Sequence, residues 1–425
     1  MSKSIRVAAV DLNGQLRGKR VPKAMRGKQM RMPLSVLNID VFGADIQDSP
    51  LVFDSGDQDG VMEPAGRDPV PLPWVAGEAE LDLRVMHNED GSPFEGDPRI
   101  ALSEVLNRYA HHGWQVIAAC ELEFFLLAEG DTLAPPLNPK TGRRLSGTEI
   151  LSLRELDGFD HFFNDVAECA KLMGIGDLTI TTEAGVGQFE VTMTHGPALH
   201  IADNVILLKE LIKGTARNHG MAATFMAKPF SDESGNGLHT HFSVINQAGE
   251  NIFCSNGKLQ SAVAGCLEAF EASTLFFAPY VNSFDRFVEG AHAPTSATWG
   301  YENRTVAMRI PSGPDAATRI EHRVAGGDAN PYLLFAAIFG AALGGIERNS
   351  VPPAPIEGNA YEHPTELPGL LPDLSAAIDG LDAPLLEHFM PALILENLAA
   401  TKSQERDLFD KLSDHEALMA LIDTA

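Results

Sequence analysis

The sequence has little of what several protein classes require. Its 425 residues include only four cysteines, and no two of them form a C-x-x-C pair, so neither a disulfide framework nor a zinc site is indicated. Lys and Arg total 32 against 58 Asp and Glu, a formal charge of −26, which argues against a nucleic-acid or anionic-membrane partner. No apolar run reaches the ~20 residues that span a bilayer. No secretory signal opens the chain. We therefore expect a soluble, cytoplasmic protein.

Two common catalytic motifs are also missing. The sequence contains no G-x-x-x-x-G-K-[ST] loop, which excludes a P-loop ATPase. It contains no G-x-S-x-G segment, so an exposed nucleophile of that kind is not indicated. Any chemistry with phosphate must therefore use a different arrangement of residues.

The chain is long enough for two domains around a large core. Short strand patterns fill the N-terminal part, where residues 5–12 end in Asn13-Gly14, a strong hairpin signal. Residues 36–42 and 80–86 are predicted strands, and the turn-rich stretch 91–99 is a plausible boundary. Strands and amphipathic helices then follow one another to the C-terminus. We predict an α+β protein with a small β domain at 1–97 and a larger domain at 98–425.

A polar row runs along one predicted strand of the larger domain. In Leu238-His239-Thr240-His241-Phe242-Ser243 the side-chain period of two places both histidines and the serine on one face. A strand that simply meets water would explain this row by itself. Further strand-like segments repeat the pattern, however, and their polar residues are Glu121 and Glu123, Glu183 and Glu190, and Arg319, Glu321 and Arg323.

Several carboxylates in apolar surroundings would repel one another and lose hydration, at a cost of several kcal/mol. Divalent cations would remove that cost, and oxygen-rich ligands with one or two imidazoles suit Mg²⁺ or Mn²⁺ better than zinc. Arginines that suit bidentate recognition of anions follow in the sequence. They are Arg286, Arg304, Arg309 and Arg323. Two or more divalent ions with arginines are the equipment of phosphoryl transfer.

These segments resemble the glutamine synthetase family, and within it the γ-glutamylputrescine synthetase branch. The matching motifs run in family order from residue 121 to 332 and are E-L-E-F-F, E-A-G-V-G-Q-F-E, A-T-F-M-A-K-P, S-G-N-G-L-H-T-H-F-S, N-S-F-D-R-F, N-R-T-V-A-M-R-I-P, R-I-E-H-R and A-N-P-Y. The resemblance implies an N-terminal β-grasp domain and a catalytic domain built on a curved antiparallel sheet flanked by helices. It also implies a ligase that activates the γ-carboxylate of L-glutamate with ATP and transfers it to an amine.

The resemblance assigns roles to residues of this chain. It gives Glu123, Glu183 and Glu190 to a first metal ion and Glu121, His239 and Glu321 to a second. ATP would meet His241, Ser243, Arg304 and Arg309, and glutamate would meet Ser234, Gly235, Arg286 and Arg323. Arg304 and Arg323 would stabilise charge during catalysis. The resemblance also implies a homo-oligomer, a dodecamer of two hexameric rings, with active sites shared between neighbours.

The chain departs from ammonia-using members at the residues that would bind ammonium. His292 stands where the family flap carries Glu, and Asp45 lies out of register with the family's ammonium-binding Asp. Ala316 replaces a usual Lys, and the segment N-A-Y-E-H-P around Tyr361 departs from the family's adenylylation loop. His292 is the candidate proton acceptor, and Trp299 and Tyr301 are candidates for an amine pocket, although both could instead be packing residues. The departures favour an organic amine, such as putrescine or an alkylamine. Ordinary glutamine synthetase and a catalytically inactive relative are the alternatives.

Overall fold

Two β-sheets and a set of helices make up the part of the chain that the structure describes. The computed structural model describes residues 4–422 and 424, apart from 48, 131–132, 148, 255–256, 289–292 and 363–367. Strands and helices are interspersed along the sequence, so the predicted α+β class is confirmed. No helix in these described ranges is long and apolar enough to cross a membrane.

The first sheet lies within the N-terminal part of the chain and has the strand order β2-β1-β6-β4-β3, with β5 beside β6. The predicted hairpin is present, because β1 and β2 pair antiparallel on either side of Asn13-Gly14. β1 and β6 pair in parallel. The strands are β1 Ser4–Val10, β2 Leu16–Pro22, β3 Met30–Pro33, β4 Asp59–Pro64, β5 Val70–Pro71 and β6 Ala79–His87.

The second sheet carries most of the predicted metal ligands, whereas Glu183, Arg286 and Arg304 lie in the connections between its strands and helices. Its order is β13-β14-β15-β12-β7-β9-β8, with β10 and β11 also paired to the long central strand β7. All its pairs are antiparallel except β13 with β14. The strands are β7 Trp114–Ala128, β8 Leu178–Thr182, β9 Gln188–Met193, β10 Gly196–Pro197, β11 Met221–Thr224, β12 Leu238–Asn246, β13 Trp299–Tyr301, β14 Met308–Ile310 and β15 Ile320–His322.

Twelve α-helices are assigned within the described ranges. They are α1 Pro50–Phe53, α2 Pro98–His111, α3 Leu153–Gly158, α4 Asp160–Leu172, α5 Ala198–Asn218, α6 Lys258–Glu268, α7 Thr274–Phe277, α8 Val281–Phe284, α9 Pro331–Arg348, α10 Leu374–Asp379, α11 Ala392–Phe409 and α12 Asp414–Ile422. The predicted boundary at 97/98 coincides with the start of α2, where the Asp97 side chain accepts hydrogen bonds from the backbone of Arg99 and Ile100. The division into two domains there stays a prediction.

Helix α9 is buried along almost its whole length and packs against α2, α5 and α6. Its contact with α6 is close enough to require glycine on both helices. A Cβ atom on Gly265 would lie 2.1 Å from the carbonyl oxygen of Ala341, and one on Gly345 would lie 2.1 Å from that of Ser261. Because backbone cannot move aside as a side chain can, this glycine pair fixes the distance between the two helices.

The predicted strand at 36–42 is wrong. A short 3₁₀ helix spans Leu34–Leu37 in its place, directly after Pro33. The Asp40 side chain then accepts hydrogen bonds from the backbone N–H of Phe42, at 3.0 Å, and of Ala44, at 2.9 Å. Such a local bond from Asp to the backbone favours a turn over a strand, and it overrides the apolar pattern of the segment.

A buried polar cluster joins the first hairpin to the far end of the chain. Lys402 and Glu405 of α11 form an ion pair of 2.7 Å whose side chains are both 1% exposed. The hairpin residue Asn13 bonds to both, at 2.6 Å from Lys402 Nζ and 2.8 Å from Glu405 Oε1. Glu405 also accepts the backbone N–H of Val41, and Lys402 Nζ lies 3.9 Å from the ring centre of Tyr280. The cluster therefore satisfies its own charges away from water.

We expect Glu405→Ala to destabilise the protein by about 3–5 kcal/mol, because it leaves the Lys402 ammonium buried without its counter-charge. The double substitution Lys402→Met with Glu405→Gln removes both charges and should cost less. Asp407→Ala on the same helix breaks only an exposed ion pair with Arg406 and is the matched control, with an expected effect below about 1 kcal/mol. Urea unfolding measures all three. A Glu405→Ala protein as stable as Asp407→Ala would contradict this account of the cluster.

Candidate functional site

Strand register brings the predicted polar residues together on one face of the second sheet. Glu121 of β7 pairs with His239 of β12, and Glu123 of β7 pairs with Glu190 of β9. Further along, His241 pairs with Glu321 of β15. Directly paired residues have Cβ atoms about 4.5–5.5 Å apart, so the row is continuous across neighbouring strands. The opposite face of β12 carries Leu238, Phe242 and Val244, which are buried in the main core.

Glu121 lies between the two histidines. One of its oxygens is 3.0 Å from His239 Nδ1, and the other is 3.0 Å from His241 Nε2. Burial alone would raise the pKa of Glu121, but its contacts with the two imidazoles outweigh burial and hold that pKa well below its usual range. Glu121 is therefore ionised, and its carboxylate is held between the two imidazoles.

Within the described residues, two sets of three side chains could each hold a metal ion. In each set, the ligand atoms all lie within 4.8 Å of one another. Glu121, His239 and Glu321 form one group, which is the predicted ligand set of the second metal ion. Glu123, Glu190 and His239 form the other, so the structure adds His239 to two of the three ligands predicted for the first ion. Glu183, the third predicted ligand, lies in neither group among the described residues. The ligand assignment as a whole stays a prediction.

The carboxylates predicted to bind the first metal ion are crowded enough to hold protons. Burial, followed by the charges of Glu121, Glu123 and Glu183, raises the pKa of Glu190 to about 9. Burial and the charge of Glu123 raise the pKa of Glu183 to about 7, so Glu183 is close enough to respond to the cluster. Two divalent cations would supply the positive charge that these oxygens lack. The donor set therefore fits Mg²⁺ or Mn²⁺.

Arginines flank the other end of the row. Arg309 Nη1 donates a 2.7 Å hydrogen bond to Glu321, and Arg323 donates to the second oxygen of that carboxylate. Burial by itself would raise the pKa of Glu321, and the neighbouring positive charges lower it below its usual value. Arg304 is exposed, and its charge acts to lower the pKa of Glu183.

A cavity of about 620 Å³ opens beside Glu121. Both predicted nucleotide residues that lie on β12, His241 and Ser243, line this cavity. Its other walls are mainly apolar and include Ile117, Met193 and Ile245. A cavity that combines apolar walls with a few charged side chains has the amphipathic character of a nucleotide site.

The predicted glutamate residues come together around the loop that precedes β12. A Cβ atom on Gly235 would lie 2.7 Å from Cγ of Arg286, so the loop backbone sits directly on that side chain. Arg286 is buried and donates a 2.6 Å hydrogen bond to the carbonyl of Val324. Ser234 is half-buried and Arg323 is buried, 4% exposed. Gln188 of β9 fixes the loop by donating to the carbonyl of Gly235 at 3.0 Å.

The predicted amine pocket is described only in part. His292 lies outside the described residues. The Trp299 side chain is 4% exposed and its Nε1 donates to the carbonyl of Pro353 at 2.8 Å, so its polar atom is already used in packing. Tyr301 is 53% exposed, with its ring 5.5 Å from that of Trp299. An amine pocket at these three residues stays a prediction.

Known proteins resemble the chain over nearly its full length. The glutamine synthetase catalytic domain matches residues 95–419. The chain belongs to the glutamine synthetase family. A γ-glutamylputrescine synthetase, PuuA of Escherichia coli, is 37% identical over 84% of this chain and 78% of its own length. A glutamate–isopropylamine ligase of a Pseudomonas species is 32% identical over 86% and 82%.

The chain is also similar to glutamine synthetases and to solved structures. The glutamine synthetase of Pyrococcus abyssi is 32% identical over 85% of this chain and 79% of its own length. A solved complex of GmaS with ADP superposes with a TM-score of 0.83 at 29% identity and covers 98% of this chain and 96% of that one. This glutamine synthetase family member is thus an enzyme of the carbon–nitrogen ligase class that joins glutamate to an amine or ammonia.

Arg319 has no predicted role in the site, although the strand period places it on the same face as Glu321. In the structure Arg319 lines the cavity, and its Nε lies 3.3 Å from Nδ1 of His241. The missing signal was the register between strands, because only the pairing of His241 with Glu321 shows how close Arg319 comes to the β12 histidines. A guanidinium in this place adds positive charge to the lining of the cavity.

The raised pKa values make the metal-free protein sensitive to alkaline pH. The folded chain keeps the Glu190 proton up to about pH 9, whereas an unfolded chain releases it near 4.5. Stability should therefore fall as pH rises through this interval, and bound Mg²⁺ should cancel the loss. We expect Mg²⁺ to raise the melting temperature more at pH 8.5 than at pH 6, by a few degrees.

Scanning calorimetry with EDTA or excess Mg²⁺ at the two pH values tests this expectation. With EDTA, Glu190→Gln should lose less stability than the unchanged protein between pH 6 and 8.5, because it carries no proton to release. Glu168→Gln alters an exposed carboxylate and is the control. Equal pH dependence in Glu190→Gln and Glu168→Gln would show that the cluster does not store protons.

Proposed function

We propose that the chain is an ATP-dependent ligase that joins the γ-carboxylate of L-glutamate to an organic amine, such as putrescine or another small alkylamine. The observation that carries the proposal is the position of the carboxylate row. It lies between an amphipathic cavity suited to a nucleotide and a loop held on a buried arginine suited to an amino acid. A phosphate at the end of the cavity would meet a substrate carboxylate over Glu121 and Glu123.

The chemistry would proceed in two steps. An oxygen of the γ-carboxylate attacks the γ-phosphorus of ATP, the bond to ADP breaks, and an acyl phosphate forms. The amine nitrogen then attacks the acyl carbon, inorganic phosphate leaves, and the amine loses a proton. Arg286 and Arg323 hold the glutamate, while Arg304 and Arg309 face the phosphates, so charge in both transition states meets fixed guanidinium groups.

Divalent Mg²⁺ or Mn²⁺ would supply further charge neutralisation on the phosphate oxygens. The residues that would hold the ions are Glu121, Glu123, Glu183, Glu190, His239 and Glu321. His241 and Ser243 would contact the nucleotide on the cavity wall, and Ser234 and Gly235 would contact glutamate from the loop. His292 would accept the proton that the amine loses.

An organic amine is favoured over ammonium by the charge of the amine site. Ammonium is small and strongly hydrated, so its capture needs fixed carboxylates, and His292 in its neutral form offers none. Asp45 is exposed, and its carbonyl accepts a hydrogen bond from Gln404 of the same chain. The carbon chain of a primary amine can instead bury apolar surface, at about 25 cal/mol per Å². The amine-using relatives at 37% and 32% identity support this choice.

We also propose a homo-oligomer, a dodecamer of two stacked hexameric rings whose neighbours complete each active site. All the strands that carry the candidate site lie after residue 113, so the first sheet contributes none of the predicted ligands of its own chain. Sedimentation at assay concentration tests the proposal. A fully active monomer would be inconsistent with shared sites.

We expect putrescine or a small alkylamine to give the highest kcat/KM and ammonium to be a poor substrate, because only the organic amine gains from apolar burial. Phosphate release should be measured with glutamate, ATP and, in turn, ammonium, methylamine, ethanolamine, putrescine and longer diamines. His292→Glu restores a carboxylate and should raise the kcat/KM for ammonium relative to putrescine. If ammonium is the best substrate of the unchanged enzyme, the protein is an ordinary glutamine synthetase.

A further inference from the structure

Two loops meet beside the candidate site, and each carries a residue with a predicted role. The first, residues 183–187, connects β8 to β9 and begins with Glu183, a predicted ligand of the first metal ion. The second, residues 230–237, precedes β12 and includes Gly235, a predicted contact of glutamate. We refer to them as the Glu183 loop and the Gly235 loop. Because both lie outside the strands, side-chain and backbone bonds within and between the loops must fix their positions.

Gln188, the first residue of β9, closes the Glu183 loop. Its backbone carbonyl accepts the N–H of Glu183 at 2.9 Å, and its own N–H donates to the carbonyl of Gly185 at 3.0 Å. Its side-chain oxygen accepts the N–H of Gly185 at 2.9 Å. The Gln188 side chain is 2% exposed, so water competes little for these bonds. Gln188 therefore fixes the backbone from which Glu183 projects.

The amide nitrogen of the same side chain reaches the Gly235 loop. Gln188 Nε2 donates to the carbonyl of Gly235 at 3.0 Å and to Oδ1 of Asn236 at 3.0 Å. Asn236 is fully buried, and its own amide nitrogen donates to the carbonyl of Met226 at 2.8 Å, so this partner is fixed in turn. A carbonyl oxygen has two lone pairs, so Gly235 can accept a bond from a substrate while it keeps the bond from Gln188.

Glu233 forms a second bridge between the same two loops, in the opposite direction. Its Oε2 accepts the N–H of Val186 at 3.2 Å. The carbonyl of Glu233 accepts a hydrogen bond from the Lys228 ammonium group, which anchors this residue from outside its loop. Two side chains therefore cross between the loops, one from each side. Neither loop can move without changing its bonds to the other.

We propose that Gln188 is a positioning residue that couples the binding of a divalent cation to the binding of glutamate. The inference rests on the proposed function, because it takes Glu183 as a cation ligand and Gly235 as a glutamate contact. A cation that orders the Glu183 loop also orders the Gly235 loop through the Gln188 side chain, so glutamate loses less conformational freedom on binding. By thermodynamic reciprocity, glutamate raises the affinity for the cation by the same factor.

Gln188→Met keeps the length of the side chain and removes its three hydrogen bonds. Calorimetric titration of L-glutamate with ADP present, first in EDTA and then in saturating Mg²⁺, gives a coupling factor as the ratio of the two Kd values. We expect a factor of at least about ten in the unchanged protein and a factor about five- to tenfold lower in Gln188→Met. Tyr109→Phe is the control, because it removes a buried 2.8 Å hydrogen bond to the carbonyl of Phe339. It should lower the melting temperature without changing the coupling factor.

Glu233→Ala and Glu233→Gln form an independent pair of variants at a half-buried residue. The alanine removes the bridge to Val186, whereas the glutamine keeps an oxygen that can accept the same N–H. We expect the coupling factor to fall about two- to fivefold in Glu233→Ala and to return towards the unchanged value in Glu233→Gln. This pair decides the question if Gln188→Met does not fold, since equal factors in the two Glu233 variants would overturn the inference.

The same titrations separate the inference from the proposed function. If the unchanged protein binds glutamate and Gln188→Met keeps the full coupling factor, the inference is overturned and the proposed function stands. Weaker binding in Gln188→Met at an unchanged ratio of Kd values has the same meaning, because a residue that only supports the fold would act in this way. Equal glutamate affinity with EDTA and with Mg²⁺ in the unchanged protein would also overturn the coupling. If the unchanged protein binds no glutamate in either condition, the proposed function is overturned as well.

Discussion

Repulsion between carboxylates at the centre of the nine-stranded sheet is the constraint on which the rest of the structure depends. Register alone places Glu123 opposite Glu190, and Glu121 one step away on the same face. Carboxylates this close together repel one another, and burial adds a desolvation cost unless positive charge compensates. The fold holds these groups together because β7, β9 and β12 are each buried on their other face, so the strands cannot rotate to relieve the charge.

The neighbouring side chains compensate this repulsion differently at the Glu121–Glu321 end of the row and at the Glu190 end. At one end, His239 and His241 meet Glu121, and Arg309 and Arg323 meet Glu321, so both carboxylates are ionised. At the other end, no ion pair of Glu190 is found within the described ranges, and burial with the neighbouring carboxylates raises its pKa to about 9. This asymmetry makes the two sites unequal before any ion binds. Of the two predicted metal sites, the first would gain most from a cation, whereas an ion at the second would compete with the arginines that contact Glu321.

Much of the site could be predicted from sequence because its residues alternate along strands. The faces of β7, β12 and β15 follow directly from a period of two, and the family motifs supply their order. The alternation of side chains does not give the register between neighbouring strands. For that reason the sequence did not predict that His239 belongs to both ligand sets or that Arg319 lies beside His241. The segment 36–42 failed for a different reason. Two backbone hydrogen bonds accepted by the Asp40 side chain outweighed a β-type composition.

The cluster of Asn13, Lys402 and Glu405 has a consequence for how the protein is made. Asn13 and Glu405 are 392 residues apart in sequence, yet they form one buried bond. At translation rates of about 5–20 residues per second, roughly 20–80 seconds separate their synthesis. During that time the Asn13 side chain cannot form its bonds to Lys402 and Glu405. The contact between the first hairpin and α11 therefore forms only after α11 has been synthesised. Closure of the two chain ends is thus a late event in the life of each new molecule, and a chain truncated before α11 could never complete it.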